Sequence, residues 1–242
     1  ISTNCSNIMV QTSVLVIHLT ISSNSTVPYD HQYELYSSVQ SKIGMTDPNI
    51  SHNIHESRGV PLFNMSSLLP IGFEGKPIWP NARLFALYIN TTRQDVADTI
   101  LAALKVGTQL TLNSCMLNLV SIDRGTVAME HPPVTPELRC RGPIVIREKG
   151  KYFRVGDDGF ESRLIAALKR KSDAVTGRDT IVRGLKITSA HKKRYTVAGH
   201  GIPASILSFI LDADEDVIRT ALTYGVGSKT QMGFGMVAVK EG

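Results

Sequence analysis

The period of apolar and polar positions changes several times along this 242-residue chain, and each change marks an element. Residues 14–21, "VLVIHLTI", form a β-branched run that reads as a strand. The following "VPYDHQYELYSSVQSKIG" puts Tyr33, Tyr36 or Ser37, and Gln40 on neighbouring turns, the spacing of a helix, with Gly44 and Pro48 as its stop. "PLFNMSSLL" and "ARLFALYIN" read as two further strands. Residues 92–105, "TRQDVADTILAALK", set Ile100, Leu101 and Leu104 on one side of a helix, and "TQLTLNSCMLNLV" returns as a strand. The order β-α-β-β-α-β is that of one ferredoxin-like unit.

The second half repeats it. "TVAME" and "PIVIREKGKYFRV" supply extended segments around a hairpin, and "DDGFESRLIAALKRK" reads as a helix capped by Asp157 or Asp158. Two strands follow in "DTIVRGLKITSAHKKRYTVAG" and "ASILSFIL". Residues 212–224 form a last amphipathic helix and residues 235–240 a last strand. The expected fold class is therefore α+β: two tandem ferredoxin-like domains with antiparallel sheets, divided as residues 1–122 and 123–242. The repetition is architectural, with no residue-level repeat. The proline-rich "HPPVTPEL" is a loop of the second half.

Between the last helix and the last strand lies "YGVGSKTQMGFGMVAV", with Gly225, Gly227, Gly233 and Gly235 around a polar insert that contains Lys229. Gly225 can end the helix as its C′ residue, and Gly233 and Gly235 can be turn residues. Alternatively, backbone N–H groups and Lys229 together approach a phosphate chain. The loop follows a helix and opens a strand, the reverse of the known mononucleotide motifs. A polymer's backbone fits that order better than a mononucleotide.

Charge sharpens this. The net charge is +5, but residues 139–194 hold 16 of the 26 Lys and Arg against six acids, leaving the remainder slightly acidic. A concentrated basic face is the footprint of a nucleic-acid binder, where an evenly solvated surface is the ordinary alternative. The densest cluster is "AHKKRYTV", residues 190–197. Lys192, Lys193 and Arg194 cannot all face one side of a strand, so one or two are expected on phosphate. The three cysteines, Cys5, Cys115 and Cys140, form no C-x-x-C and suit a reducing, cytoplasmic setting. Five N-x-[ST] triplets are discounted because the apolar run near residue 14 is too short for a signal peptide. No stretch is long and apolar enough for a membrane span.

Two stretches carry a resemblance: "VPYDHQYELYSSVQSKI" with "IHESRGVPLFNMS", and the glycine loop. Together they resemble the CRISPR repeat-processing endoribonucleases, repeat-associated proteins built from two ferredoxin-like domains in tandem. The glycine loop alone is typical of that wider superfamily, including its non-catalytic RNA-binding members. The resemblance implies that this loop packs beside the RNA surface and helps grip the RNA backbone. It implies metal-independent cleavage of a repeat RNA, in which a ribose 2′-OH attacks its own 3′ phosphate to leave a cyclic phosphate and a 5′-OH. That chemistry needs a base, an acid and positive charge.

Residue by residue, His55 falls where the family's histidine sits, and its ordinary pKa suits either proton-transfer role. Gln40 falls at the family's tyrosine and Pro61 at its lysine, so Arg58 is the nearest cation for the phosphate. His52, three residues from His55, is the rival; no third ligand accompanies the pair as a metal site. His31 and His18 read as packing residues, and His191, within "HKKR", is placed for RNA. The resemblance implies no cofactor and no membrane, a CRISPR repeat RNA as partner together with other CRISPR effector subunits, and a monomer or homodimer. The other reading is a catalytically silent RNA-binding subunit of an effector complex.

Overall fold

The computed structural model describes residues 11–21, 25–57, 59–72, 82–128 and 132–240. β1 (Gln11–Ile21) lies within the first sheet, and its side chains alternate. Leu15, Ile17, Leu19 and Ile21 are buried, whereas Val14, Val16, His18 and Thr20 are partly exposed. This is the period of a strand packed on one face. α1 (Gln32–Thr46) covers that face with Leu35, Tyr36, Val39, Gln40 and Ile43, spaced three and four apart.

α1 does not stop at Gly44 but runs on to Thr46. Asp47 then caps a helix that the hydrophobic period does not announce, α2 (Pro48–Glu56). The Asp47 carboxylate accepts from the N–H groups of Asn49 at 2.9 Å and Ile50 at 3.0 Å, and Pro48 occupies the first turn. Gly44 serves the packing instead: a Cβ there would lie 3.3 Å from Ser51 Oγ, so the bare backbone lets α2 fold back onto α1.

The expected strand "PLFNMSSLL" is broken into β2 (Asn64–Met65) and β3 (Leu69–Pro70), both paired with β4 (Leu84–Thr91). Ser66 makes the break, because its hydroxyl accepts from the Tyr88 N–H at 3.0 Å and donates to the Ser67 carbonyl at 2.7 Å. A side chain here takes over part of the ladder. α3 (Gln94–Ala103) packs on the same inner face, and the hairpin β5 (Gln109–Leu112) and β6 (Cys115–Ala128) completes an antiparallel sheet ordered β2-β4-β1-β6-β5. β6 carries its pairing with β1 to Ala128, past residue 122 where the sequence-based division was drawn.

The second sheet is ordered β10-β11-β7-β12, again antiparallel, from β7 (Glu137–Cys140), β10 (Val182–Val197), β11 (His200–Ala213) and β12 (Val237–Val239). A separate hairpin, β8 (Ile146–Glu148) and β9 (Lys151–Phe153), precedes α4 (Phe160–Thr176). α4 starts from Gly159 at φ 68°, not from an aspartate cap, since Asp157 turns its carboxylate back to the Arg154 N–H at 2.9 Å. α4 and α5 (Glu215–Tyr224) bury Leu164, Leu168, Val217 and Ile218 with Phe209 and Leu211 of β11.

A third cluster fills the junction of the two sheets. Val145, Tyr195, Val197, Ile202, Ala204 and Phe234 pack together, with Tyr33 of α1 against them. Hydrogen bonds cross the same junction: Asn90 Nδ2 donates to the Leu222 carbonyl at 3.1 Å and the Ser67 N–H to the Arg141 carbonyl at 3.0 Å. Among the described residues no helix is long and apolar enough to cross a membrane.

Candidate functional site

α2 is pinned by Ile50 and Ile54, which are buried, and this turns His52 and His55 outward, both exposed. Ser57 follows, its hydroxyl donating to the Ile54 carbonyl at 2.9 Å and accepting from Gln231 Nε2 at 3.3 Å. The second bond fastens the glycine loop to the end of α2, two residues from His55. Arg58 lies outside the described residues. Gln40 is turned inward. It belongs to the buried stripe of α1, and its amide donates to Ser51 Oγ at 3.0 Å and to the Ser51 carbonyl at 3.2 Å. The side chain ties α1 to α2 and presents nothing to solvent beside His55. No group of three or more His, Cys, Asp and Glu side chains gathers as a metal site among the described residues.

The glycine loop is committed to the protein's own backbone. Gly225, Gly227, Gly233 and Gly235 all have positive φ, and all but Gly227 are buried. A Cβ on Gly235 would stand 2.0 Å from the Val226 carbonyl oxygen, and one on Gly227 2.4 Å from that of Val145. The N–H groups of Gly225 and Gly235 are already donated to the carbonyls of Ala221 and Pro143. Close approach to the chain's own backbone is thus one use of these glycines, whether or not the loop also meets a phosphate chain. What the loop offers outward is its polar insert. Lys229, at φ 63°, begins the 3-10 turn Thr230–Met232, and burial together with neighbouring Arg147 lowers its pKa.

The basic cluster lies at the end of the β10–β11 hairpin, beyond the residues of β11 that pair with β7. Lys193 shares a strand face with Tyr195, and its Nζ lies 4.7 Å from the centre of the Tyr29 ring. Lys192 and Arg194 take the opposite face, beside Gly156 and Gly201 respectively. Some basic residues of the second half are neutralised locally, among them Arg163 by Glu148, Lys169 by Asp173, and Arg183 by Asp212 and Asp214. Lys192, Lys193 and Arg194 have no carboxylate partner among the described residues. The hairpin end is thus one place where adjacent cations are left without a carboxylate.

Sequence reasoning passed over the aromatic pair beneath it. Tyr29 and Tyr195 stack with ring centres 5.5 Å apart, their hydroxyls 3.0 Å from each other, and Phe234 meets Tyr195 edge-on. The signal was Tyr29 itself, within "VPYDHQY". His31 in the same stretch is buried. Its Nδ1 faces the Pro28 carbonyl at 2.9 Å and its Nε2 accepts from the Leu68 N–H at 3.1 Å, so the ring is neutral with its proton on Nδ1. Burial lowers its pKa to about 4.

Two family models match successive parts of this chain. One described as "CRISPR-associated protein Cas6, N-terminal" covers residues 26–121, and one described as "CRISPR associated protein Cas6, C-terminal" covers residues 130–239. The chain belongs to the Cas6 family of CRISPR-associated endoribonucleases. Among Cas6 relatives, the CRISPR-associated endoribonuclease Cas6 of Pyrococcus furiosus is 22% identical over 228 residues, covering 88% of this chain and 84% of that one. The Cas6nc endoribonuclease-like protein of Pyrococcus horikoshii is 23% identical, covering 92% and 97%. A solved structure described as "An RAMP protein binding different RNA substrates" superimposes with a TM-score of 0.79 at 20% identity, over 95% of this chain and all of that one. The Cas6 fold thus extends across both sheets.

Proposed function

We propose that this chain is a metal-independent endoribonuclease that cleaves CRISPR repeat RNA into guide RNAs, with His55 as a principal acid or base. The observation that carries the reading is the Gln231–Ser57 bond, which holds the loop bearing Lys229 against the end of α2, where His55 stands exposed. A histidine suits the transfer of the 2′-OH proton or the return of a proton to the leaving 5′ oxygen. Lys229 and Arg58 are the candidates for charge on the crowded phosphate. The unpaired cations of the β10–β11 hairpin would hold the RNA strand. In this reading the two sheets are tandem ferredoxin-like units. The strand orders β6-β1-β4-β2 and β12-β7-β11-β10, each with two helices on one face, support it.

The deciding experiment is single-turnover cleavage of the repeat RNA from the chain's own array, with excess EDTA and with added divalent metal. Product forms equally under both conditions, and His55→Ala slows it about a hundredfold or more while RNA binding persists. Loss of rate in His52→Ala with His55→Ala unaffected would transfer the role by one helical turn. Strict dependence on added metal would remove the mechanism.

A second reading has its own observation. Gln40, which is buried, and Pro61 stand where the resembled family carries a tyrosine and a lysine, so the site offers fewer reactive groups. A silent RNA-binding subunit of an effector complex would bind the repeat RNA with the same affinity and leave it intact.

A further inference from the structure

The glycine loop and the β8–β9 hairpin are fastened to each other. The Ser228 N–H donates to the Val145 carbonyl at 2.8 Å, and a Cβ on Gly227 would lie 3.2 Å from Ile146 Cδ1. On the hairpin, Arg147 is paired with Tyr152 across the strands, so their side chains share a face, with the guanidinium carbon 5.4 Å from the ring centre. On the loop, Lys229 Nζ lies 4.0 Å from Met232 Sδ. Tyr152 and Met232 both pack against the apolar cluster at the junction of the sheets. Two distant segments thus bring Arg147 and Lys229 to one place.

For the protein alone this is a costly arrangement. Lys229 is half-buried, and burial and the Arg147 charge together lower its pKa, so each cation feels the other. Neither has a carboxylate partner among the described residues. Glu148 adjoins Arg147 in sequence, but it faces the other side of the hairpin and is taken by Arg163 at 2.9 Å. The backbone adds to the cost. Lys229 stands at φ 63°, a left-handed conformation that glycine or asparagine adopts with less strain. A loop that holds four glycines nevertheless keeps a lysine there. An anion set between the two groups replaces their repulsion with two attractions.

We propose that Arg147 and Lys229 close on a single phosphate of the RNA strand, Arg147 being a second cation on the phosphate that Lys229 takes. The guanidinium offers N–H donors in a planar fork that matches two phosphate oxygens, and the ammonium adds a point charge from the loop. Because one group rides on the hairpin and the other on the loop, a bound phosphate bridges the two segments. The inference rests on the RNA-binding reading above but not on cleavage.

The test is affinity for the repeat RNA of the chain's own array, with a 2′-deoxy nucleotide at any position the chain cuts. One phosphate at a time is replaced by a neutral methylphosphonate on a 2′-deoxy nucleotide, and the 2′-deoxy nucleotide alone is the control. In the native chain neutralising one position raises Kd about tenfold. In Arg147→Gln and in Lys229→Asn that same position matters by no more than about threefold. Lys229→Asn suits the left-handed backbone, so it melts no lower than the native chain while binding the unmodified RNA about tenfold more weakly. In the free protein, Arg147→Gln raises the Lys229 pKa, read by NMR of the lysine side chain. If the two variants relieve different positions or none, if Lys229 titrates as before in Arg147→Gln, or if Lys229→Asn melts well below the native chain, the shared phosphate is refuted while RNA binding stands. If the native chain binds no RNA at all, the reading beneath it falls as well.

Discussion

His31 shows how one side chain ties sequence to surface. It opens α1 as a neutral acceptor for Leu68 and a donor to Pro28, so it clips the loop carrying Tyr29 to the linker between β2 and β3. Its folded pKa of about 4 lies below the usual 6.5. Its contribution is therefore fully present above pH 6.5 and is lost as pH falls through about 4. Thermal melting of the native chain and His31→Gln across pH 4–7 isolates it: the native protein loses stability over that window more steeply than the variant. The glycines give a second residue-scale outcome. Gly235→Ala forces φ 68° on an L-residue and meets the Val226 carbonyl, costing about 1–3 kcal/mol for the dihedral alone. Denaturant unfolding reads that loss; weakened RNA binding at unchanged stability would instead favour the phosphate-cradle role. The glycine spacing in the sequence announced a backbone that must come close to something. It could not say that the something is Val145, Val226 and Asn64 of the same chain.

At the scale of elements, the long strands and helices were legible because each buries one face and so leaves a period in the sequence. α2 was not, since nine residues with two buried isoleucines make too short a stripe, and its start depends on an Asp-Pro cap. The division of "PLFNMSSLL" was hidden for another reason: serines that interrupt a ladder look like serines that decorate one. The exposure of His55 follows from α2, so the sequence placed the residue without the helix that presents it. The β10–β11 hairpin, by contrast, was read with its charges, and its end is where Lys192, Lys193 and Arg194 remain unpaired. Charge reversal of all three weakens RNA binding steeply and flattens its salt dependence, the slope falling by about 0.7 for each phosphate no longer neutralised. Reversing Lys169, already paired with Asp173 and Asp179, leaves that slope unchanged. Titration against salt with the repeat RNA separates the two.

At the scale of the molecule, the two sheets are joined by their own apolar cluster, which the sequence could not show because its members come from distant segments. Phe234, fully buried at that junction, is the member whose removal reports on it. Phe234→Ala costs about 3–5 kcal/mol, and if the junction couples the sheets, urea unfolding of the native chain proceeds in one step while the variant separates into two. Two steps in the native chain would mean that the sheets fold independently. β10 has a further consequence. It is the outermost strand of its sheet, sixteen residues long, with one row of backbone N–H and C=O groups left without a neighbouring strand. Such a margin invites the same margin of another molecule to zip onto it. Lysines along the strand and the register shifts near Gly184 and Ser189 oppose that union. Neutralising Lys186, Lys192 and Lys193 together should therefore produce chains that associate edge to edge as concentration rises. Light scattering of that variant beside the native protein would register it.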